Sequence, residues 1–158
     1  MKLIIIAAIG ENRELGFNND LIWRIKEDLR FFKETTTNHY IVMGKKTFIS
    51  LNGLLPNRKH LVISSTLKET EGIKVYKSID EFLLDEELKD EEIYVIGGAS
   101  IYKSLLKYCE KMYLTQIEAS AKADAYFPEF NEENYEKHLL GDYETNGLKY
   151  KRYLYKRK

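Results

Sequence analysis

The sequence predicts an α/β fold built on a largely parallel sheet. Three observations carry this prediction. Short apolar runs alternate with helical patterns as far as Ile117, two of those runs end in glycine at a strand-to-helix turn, and the segment Tyr135 to Tyr155 changes to two strands around Asn146-Gly147.

Lys2–Ile9 is an apolar run suited to a buried strand and too short to span a bilayer; Glu11-Asn12-Arg13-Glu14 follows at once with no cleavage-site pattern, so a strand is expected rather than a leader. Ile25–Glu34 places Ile25, Asp28, Leu29 and Phe32 at i, i+3, i+4 and i+7, the stripe of an amphipathic helix. His39–Met43 is the next strand, and Lys45–Leu51 a helix after Gly44. Strands over His60–Ser64 and Lys74–Tyr76, a helix over Ile79–Leu84, a strand over Ile93–Ile96, a helix over Ala99–Leu106 and a strand over Met112–Ile117 continue the alternation. The acidic stretch Asp85 to Glu92 reads as a solvated loop. The final hairpin is expected at a sheet edge, with the Lys and Arg of Lys149–Lys158 guarding that edge, Tyr and Leu packing inward, and a bulge near Lys151-Arg152. The same run interleaves basic and aromatic residues, a weaker signal for nucleic acid.

Composition narrows the function classes. The 158 residues suit one domain, Lys+Arg and Asp+Glu balance at 25 each, and no pull toward nucleic acid or an anionic membrane is expected. The single cysteine, Cys109, rules out an internal disulfide and fits a reducing compartment such as the cytoplasm; it reads as a small core residue near a helix end. His39, His60 and His138 are scattered, which gives no metal-ligand spacing and no His-based nucleophilic site.

Asp28 is the most informative residue, since it puts an acid inside an apolar stripe. A buried, unpartnered carboxylate costs several kcal/mol, so this one either meets hydrogen-bond donors or holds its proton. That is the profile of a ligand-reading acid in an apolar pocket; the alternative is an acid in a first helical turn that merely favours the positive end.

Two turns add chemistry. In Val42-Met43-Gly44-Lys45-Lys46-Thr47 a strand ends in glycine and a helix opens with two lysines, which oppose the helix dipole unless a phosphate is bound there. In Val95-Ile96-Gly97-Gly98-Ala99-Ser100-Ile101-Tyr102 paired glycines permit close approach of backbone to a diphosphate. Neither is a G-x-G-x-x-G or P-loop motif; together they suggest a dinucleotide across the carboxyl ends of parallel strands.

The ordered set Ile6-Ala7-Ala8, Leu15-Gly16, Asn19-Asp20-Leu21-Ile22-Trp23, Asp28, Phe31-Phe32-Lys33, Met43-Gly44-Lys45-Lys46-Thr47, Leu55-Pro56-Asn57-Arg58, Gly97-Gly98-Ala99 and Tyr113-Leu114-Thr115 closely resembles bacterial dihydrofolate reductase. The resemblance spans essentially the whole chain. It implies one domain over residues 1–158 with a central, mostly parallel, mixed sheet of eight strands, a C-terminal antiparallel hairpin and flanking helices in three αβα layers. It also implies NADPH-dependent reduction of 7,8-dihydrofolate to tetrahydrofolate, supplying one-carbon and thymidylate metabolism, by a cytoplasmic monomer open to antifolate inhibitors.

Residue by residue, the resemblance makes Asp28 the pterin-binding carboxylate, supported by Thr115, with two parallel ligand donors on one carboxylate. Ile6, Ala8, Leu21, Leu29, Phe32, Leu51, Leu55 and Ile96 would line the slot around the rings, and Arg58 would pair bidentately with the α-carboxylate of the glutamate tail. Ala8, Leu15, Gly16, Asn19, Asp20, Leu21, Gly44, Thr47, Lys77, Ile96, Gly97, Gly98, Ala99, Ser100, Ile101 and Tyr102 would contact the cofactor, with Lys45, Lys46, Ser64 and Ser65 around its 2′-phosphate. Leu21, Trp23 and Tyr102 join Asp28 and Thr115 around the reacting atoms. Hydride would pass to pterin C6 and a water-relayed proton to N5. A cis peptide between Gly97 and Gly98, a mobile loop over Gly10–Arg24 and a brace on it from Asp124 are also implied.

The chain departs from the family pattern at Ile22 and Lys26, where proline is usual, at Ala99 and at Ser100. A reductase of a riboflavin-pathway pyrimidine, or a non-catalytic nucleotide-binding homologue, would share the sheet and the turns without needing Asp28 and Arg58.

Overall fold

In the computed structural model, which describes residues 1–158, β1 (Lys2–Ile9) lies in the middle of the sheet, and its apolar run is explained by burial on both faces. A small excursion follows, β2 (Glu14–Phe17) and β3 (Asp20–Leu21), and then α1 (Lys26–Thr36). The chain continues through β4 (Tyr40–Gly44), α2 (Lys45–Ser50), β5 (Lys59–Ile63), β6 (Ile73–Tyr76), α3 (Ile79–Leu83), β7 (Glu92–Val95) and α4 (Ala99–Leu105). It closes with β8 (Cys109–Ile117), β9 (Ala125–Tyr126), β10 (Tyr135–Thr145) and β11 (Leu148–Arg157).

Eight strands form one mixed sheet in the order β10-β11-β8-β1-β7-β4-β5-β6. Every pairing from β8 to β6 is parallel; β11 runs antiparallel to β8 and to β10, as the Asn146-Gly147 hairpin requires. Side chains alternate across the sheet, which gives two cores. Leu3, Ile5, Val42 and Val95 pack with Phe82 of α3 and Ile101 and Leu105 of α4, whereas Ile4, Ile6, Ile41 and Met43 meet Phe31 and Phe32 of α1 and Phe48 of α2. Helices therefore cover both faces, the three-layer α/β arrangement predicted from the sequence.

Three local expectations are corrected. Gly10–Arg24 is not simply a loop: β2 pairs with β3 and β9 in a second, three-stranded sheet, too short and polar to announce itself by alternation. Asp85–Glu92 is exposed over most of its length, as expected, but it is not an irregular loop throughout. It holds a 3₁₀ turn at Glu86–Leu88 with Leu88 buried, and Asp85 accepts from Lys74 Nζ at 2.8 Å and from the Tyr76 hydroxyl, so Lys74 first and Tyr76 next hold its carboxyl below the usual range. Finally, β10 is the edge and β11 is interior, so the basic residues of β11 do not guard an edge. The bulge falls on the partner strand, where Leu140 is the extra residue between Leu139, paired with Tyr153, and Gly141, paired with Arg152.

Cys109 is fully buried at the start of β8, its Sγ donating to Leu105 O at 3.2 Å, and burial pushes its thiol up to about 12.

Candidate active site

β1, β7 and β4 are parallel neighbours, so their carboxyl ends open on one side of the sheet. A cavity of about 550 Å³ lies there, walled by the ends of those strands, α1, α2, the start of α4 and the β2–β3 excursion. It takes in Ile6, Ala8, Leu29, Phe32, Leu51, Leu55 and Ile96, the predicted ring slot, and Leu21 at its mouth. Leu29 is 41% exposed because the apolar stripe of α1 faces this cavity rather than a closed core. A second depression, about 580 Å³, lies by Gly72 and Lys74; it shares only Leu55 and Arg58 with the first and brings together no other predicted residue.

The acidic end is built from a cross-strand row. Ala8 of β1 pairs with Thr115 of β8, Thr115 with Arg152 of β11, and Arg152 with Gly141 of β10, so the four lie in line across the sheet. Asp28 reaches this row from the first turn of α1, so its helix-end placement and its cavity placement both hold. Its Oδ1 accepts from Thr115 Oγ1 at 2.6 Å and from Arg152 Nη2 at 2.7 Å. Asp28 thus meets donors, the first of the two options its position allowed. With both bonds on Oδ1, that oxygen has little capacity left, and Oδ2 is the oxygen open to a ligand.

Arg152, which the sequence did not single out, is the residue that joins Asp28 from β11. Tyr150 and Arg152, two apart on β11, are 1% and 6% exposed, so the guanidinium sits at an inward, apolar position of the strand. What turns this arginine inward is the pairing of β11 with Thr115 of β8, which no local pattern announces. The guanidinium lies 3.9 Å over the Phe31 ring and 5.1 Å from that of Tyr143, and its Nε donates to Thr115 Oγ1 at 3.3 Å.

At the other end the two glycine turns lie side by side, with the Gly44 N–H donating to Gly97 O at 2.9 Å. The Gly97-Gly98 peptide is cis, as the resemblance implied, and Gly97 has φ +125°, open to glycine but not to L side chains. A Cβ on either glycine would come to 3.5 Å of Thr47 Oγ1, so bare backbone, Thr47 and Lys46 face a ligand together. α2 and α4 have only six and seven residues, which leaves attraction for a phosphate resting chiefly on the lysine ammonium groups. Tyr102 donates from its hydroxyl to Ile6 O at 2.8 Å, and burial raises its pKa, so it is a neutral phenol in the wall.

The excursion supplies Leu15, Gly16, Asn19, Asp20 and Leu21 to the cavity. Asp124 holds it, Oδ2 accepting from the Asn18 N–H at 3.0 Å while its own N–H donates to Gly16 O at 3.0 Å. Across the cavity His60 fixes the Leu55–Arg58 turn: its Nε2 accepts from the Leu55 N–H at 3.0 Å and Nδ1 lies 3.2 Å from Arg58 O. Burial holds the imidazole below its ordinary pKa, in the neutral form this acceptor role needs. Arg58 donates through Nε to Pro56 O and through Nη1 to Thr36 Oγ1, which leaves its Nη1/Nη2 edge for an anion.

Several predicted residues do not line the cavity. Ile101 is core, packed 3.2 Å from where a Gly44 Cβ would stand, so Gly44 and Ile101 serve helix–strand packing. Trp23 packs with Ile25, Ile117 and Tyr150. Ser64 is turned inward, accepting from the Thr66 and Leu67 N–H groups, and Lys45 donates to Thr66 Oγ1 at 2.9 Å. Ser65, Lys77 and Ser100 are exposed and outside the cavity wall.

A family model described as Dihydrofolate reductase matches residues 2–157. The chain is 42% identical over 131 residues to a dihydrofolate reductase of Bacillus subtilis (strain 168), covering 82% of this chain and 77% of that one. It is 43% identical to the dihydrofolate reductase of Buchnera aphidicola subsp. Acyrthosiphon pisum, over 82% and 81% of the two chains, and 35% identical to that of Haemophilus influenzae, over 86% and 84%.

Proposed function

This chain belongs to the dihydrofolate reductase family, and on that premise we propose that it reduces the N5=C6 bond of 7,8-dihydrofolate with NADPH as cofactor. The observation that carries the reading is a carboxylate in an apolar cavity, Asp28, with one oxygen uncommitted and a free arginine edge, that of Arg58, on the same cavity wall. When bound, NADPH supplies the hydride that C6 receives.

The chain's own residues do the rest. Asp28 Oδ2 accepts from the donor edge of the pterin and favours the ring form protonated at N5. Ile6, Leu29, Phe32, Leu51 and Leu55 hold the rings in a dry slot, and the Arg58 edge takes the tail carboxylate. Gly97, Gly98 and Thr47 offer backbone and hydroxyl to a diphosphate, and Lys46 with Lys45 beside it offers positive charge to a 2′-phosphate. Leu21 and the excursion that carries it exclude bulk water from the reacting atoms, and Tyr102 holds the wall beneath them through Ile6 O. The other acids of the cavity wall are engaged elsewhere, Asp20 with the Leu21 N–H and Arg24 and Asp124 with the Asn18 N–H, and water is the proton carrier to N5 in this reading.

A monomer completes the reading, and the single free thiol, Cys109, suits the cytoplasm. Loss of NADPH absorbance on adding dihydrofolate tests the reading. Turnover that needs both compounds is the expected result, and a folded protein that binds neither would overturn it.

A further inference from the structure

The charge of Asp28 is not open to a ligand in full. Arg152 lies 2.7 Å from it, and the two side chains are only 7% and 16% exposed, so water screens their interaction weakly. The arginine is also held by its neighbours. Phe31 lies 3.9 Å from it, Thr115 takes Nε, and the Tyr143 ring, itself stacked 5.1 Å from Tyr150, lies 5.1 Å away. Tyr143 reaches this place because Gly141, opposite Arg152, lacks a Cβ: one there would fall 2.2 Å from the tyrosine hydroxyl. Three elements thus hold a guanidinium behind the carboxylate.

We propose that Arg152 tunes specificity at this site: paired with Oδ1, it offsets part of the charge of Asp28 and so narrows the preference that the carboxylate alone would give a cationic ring over a neutral one. The inference rests on Asp28 as the anchor of the ligand's ring. A neutral pterin bonds to Oδ2 with or without the arginine, whereas a ring that enters protonated is attracted by the carboxylate and repelled by the guanidinium behind it. The usual gain of an ion pair is thereby reduced.

Two probes read this directly: folate, whose pterin ring is neutral, and a 2,4-diaminopyrimidine held below its ring pKa so that it binds as a cation. Calorimetry gives the ratio of their affinities within each protein, and a ratio cancels general damage to the site. Arg152→Met should shift that ratio toward the cation by at least roughly tenfold, since a unit charge within about 6 Å has been removed from a poorly screened site. Arg152→Gln, which keeps a donor for Oδ1 and drops the charge, should do the same, and it serves if the Met variant does not fold. Arg152→Lys should stay within about threefold of the unsubstituted ratio, because it keeps the charge. An unchanged ratio in the Met and Gln variants, or a Lys variant that behaves like Met, would overturn the proposal. Dihydrofolate turnover by the unsubstituted protein is measured alongside: if turnover is absent the anchor reading fails, and if it is present with a flat ratio only the role of Arg152 fails.

Discussion

Glu14, on the strand that carries Leu15 and Gly16 into the cavity, accepts the Ala121 N–H at 2.8 Å from a loop 107 positions away. Its other oxygen accepts the Asn12 N–H at 2.7 Å, and the residue is only 1% exposed. Gly10 makes this possible, since a Cβ there would stand 2.6 Å from Glu14 Oε1 and 2.5 Å from the Trp23 ring. Burial alone would raise the Glu14 pKa, but the N–H groups of Ala121, of Glu14 itself and of Asn12 together outweigh it and hold the carboxyl below its ordinary 4.5.

Glu14→Gln should therefore destabilise the fold by about 1–3 kcal/mol at neutral pH, because an amide NH₂ then faces one of the two backbone donors. The sign follows from the depressed pKa. The carboxylate's contribution is present above pH 4.5 and is lost as pH falls through the lower folded-state value. Denaturant melts from pH 7 downward should show the gap between the two proteins closing below 4.5; a gap independent of pH would mean that the ionised form is not what the loops hold.

Lys45 and Lys46 open α2 with no acidic residue in its first turn. Replacing both with Ala should weaken NADPH by roughly tenfold or more, in line with the loss of charge-assisted bonds to a dianion, and weaken NADH little. Fluorescence titration with each cofactor decides, and equal losses for both would remove the 2′-phosphate from this corner of the cavity.

Arg58→Lys replaces the free Nη1/Nη2 edge with a point charge and also drops the bond to Thr36 Oγ1. Folate-type ligands with a glutamate tail should weaken by roughly tenfold, and small antifolates without the tail should change little. Parallel weakening of both ligand types in competition binding would point instead to collapse of the Leu55–Arg58 turn.

Most of the cavity was legible in the sequence, and what was missed shares one cause. Glycine turns, apolar runs and the out-of-place Asp28 are local signals, and the parallel topology brings them together because β1, β4 and β7 end on one side. Arg152 gave no local signal, since in a run as basic as Lys149–Lys158 one inward arginine looks like its exposed neighbours. Which of them turns inward depends on β11 being interior and in register with Thr115, a long-range fact. Glu14 was hidden in the same way, since one of its donors, the Ala121 N–H, lies 107 positions away. Ser64 and Ile101 differ in the opposite sense: each stands at a strand or helix end near the cavity, but its side chain serves the turn or the core.

Asp28→Asn bears most directly on the chemistry. The amide oxygen can still accept from Thr115 and Arg152, but the guanidinium loses its counter-charge in a nearly dry setting, so a cost of about 1–3 kcal/mol in stability is expected. That cost falls on folding, and single-turnover rates in the folded fraction separate it from catalysis. If the carboxylate favours the N5-protonated ring, hydride transfer near neutral pH should fall by roughly 10²–10⁴-fold, the span typical of acid–base assistance, while NADPH affinity stays nearly constant. The deficit should shrink as pH falls, because more dihydrofolate then arrives already protonated from solvent and less depends on the missing charge. Stopped-flow traces across pH therefore distinguish two roles for one residue. A folded Asn variant with near-normal transfer at neutral pH would reduce Asp28 to a helix-end acid that partners Arg152.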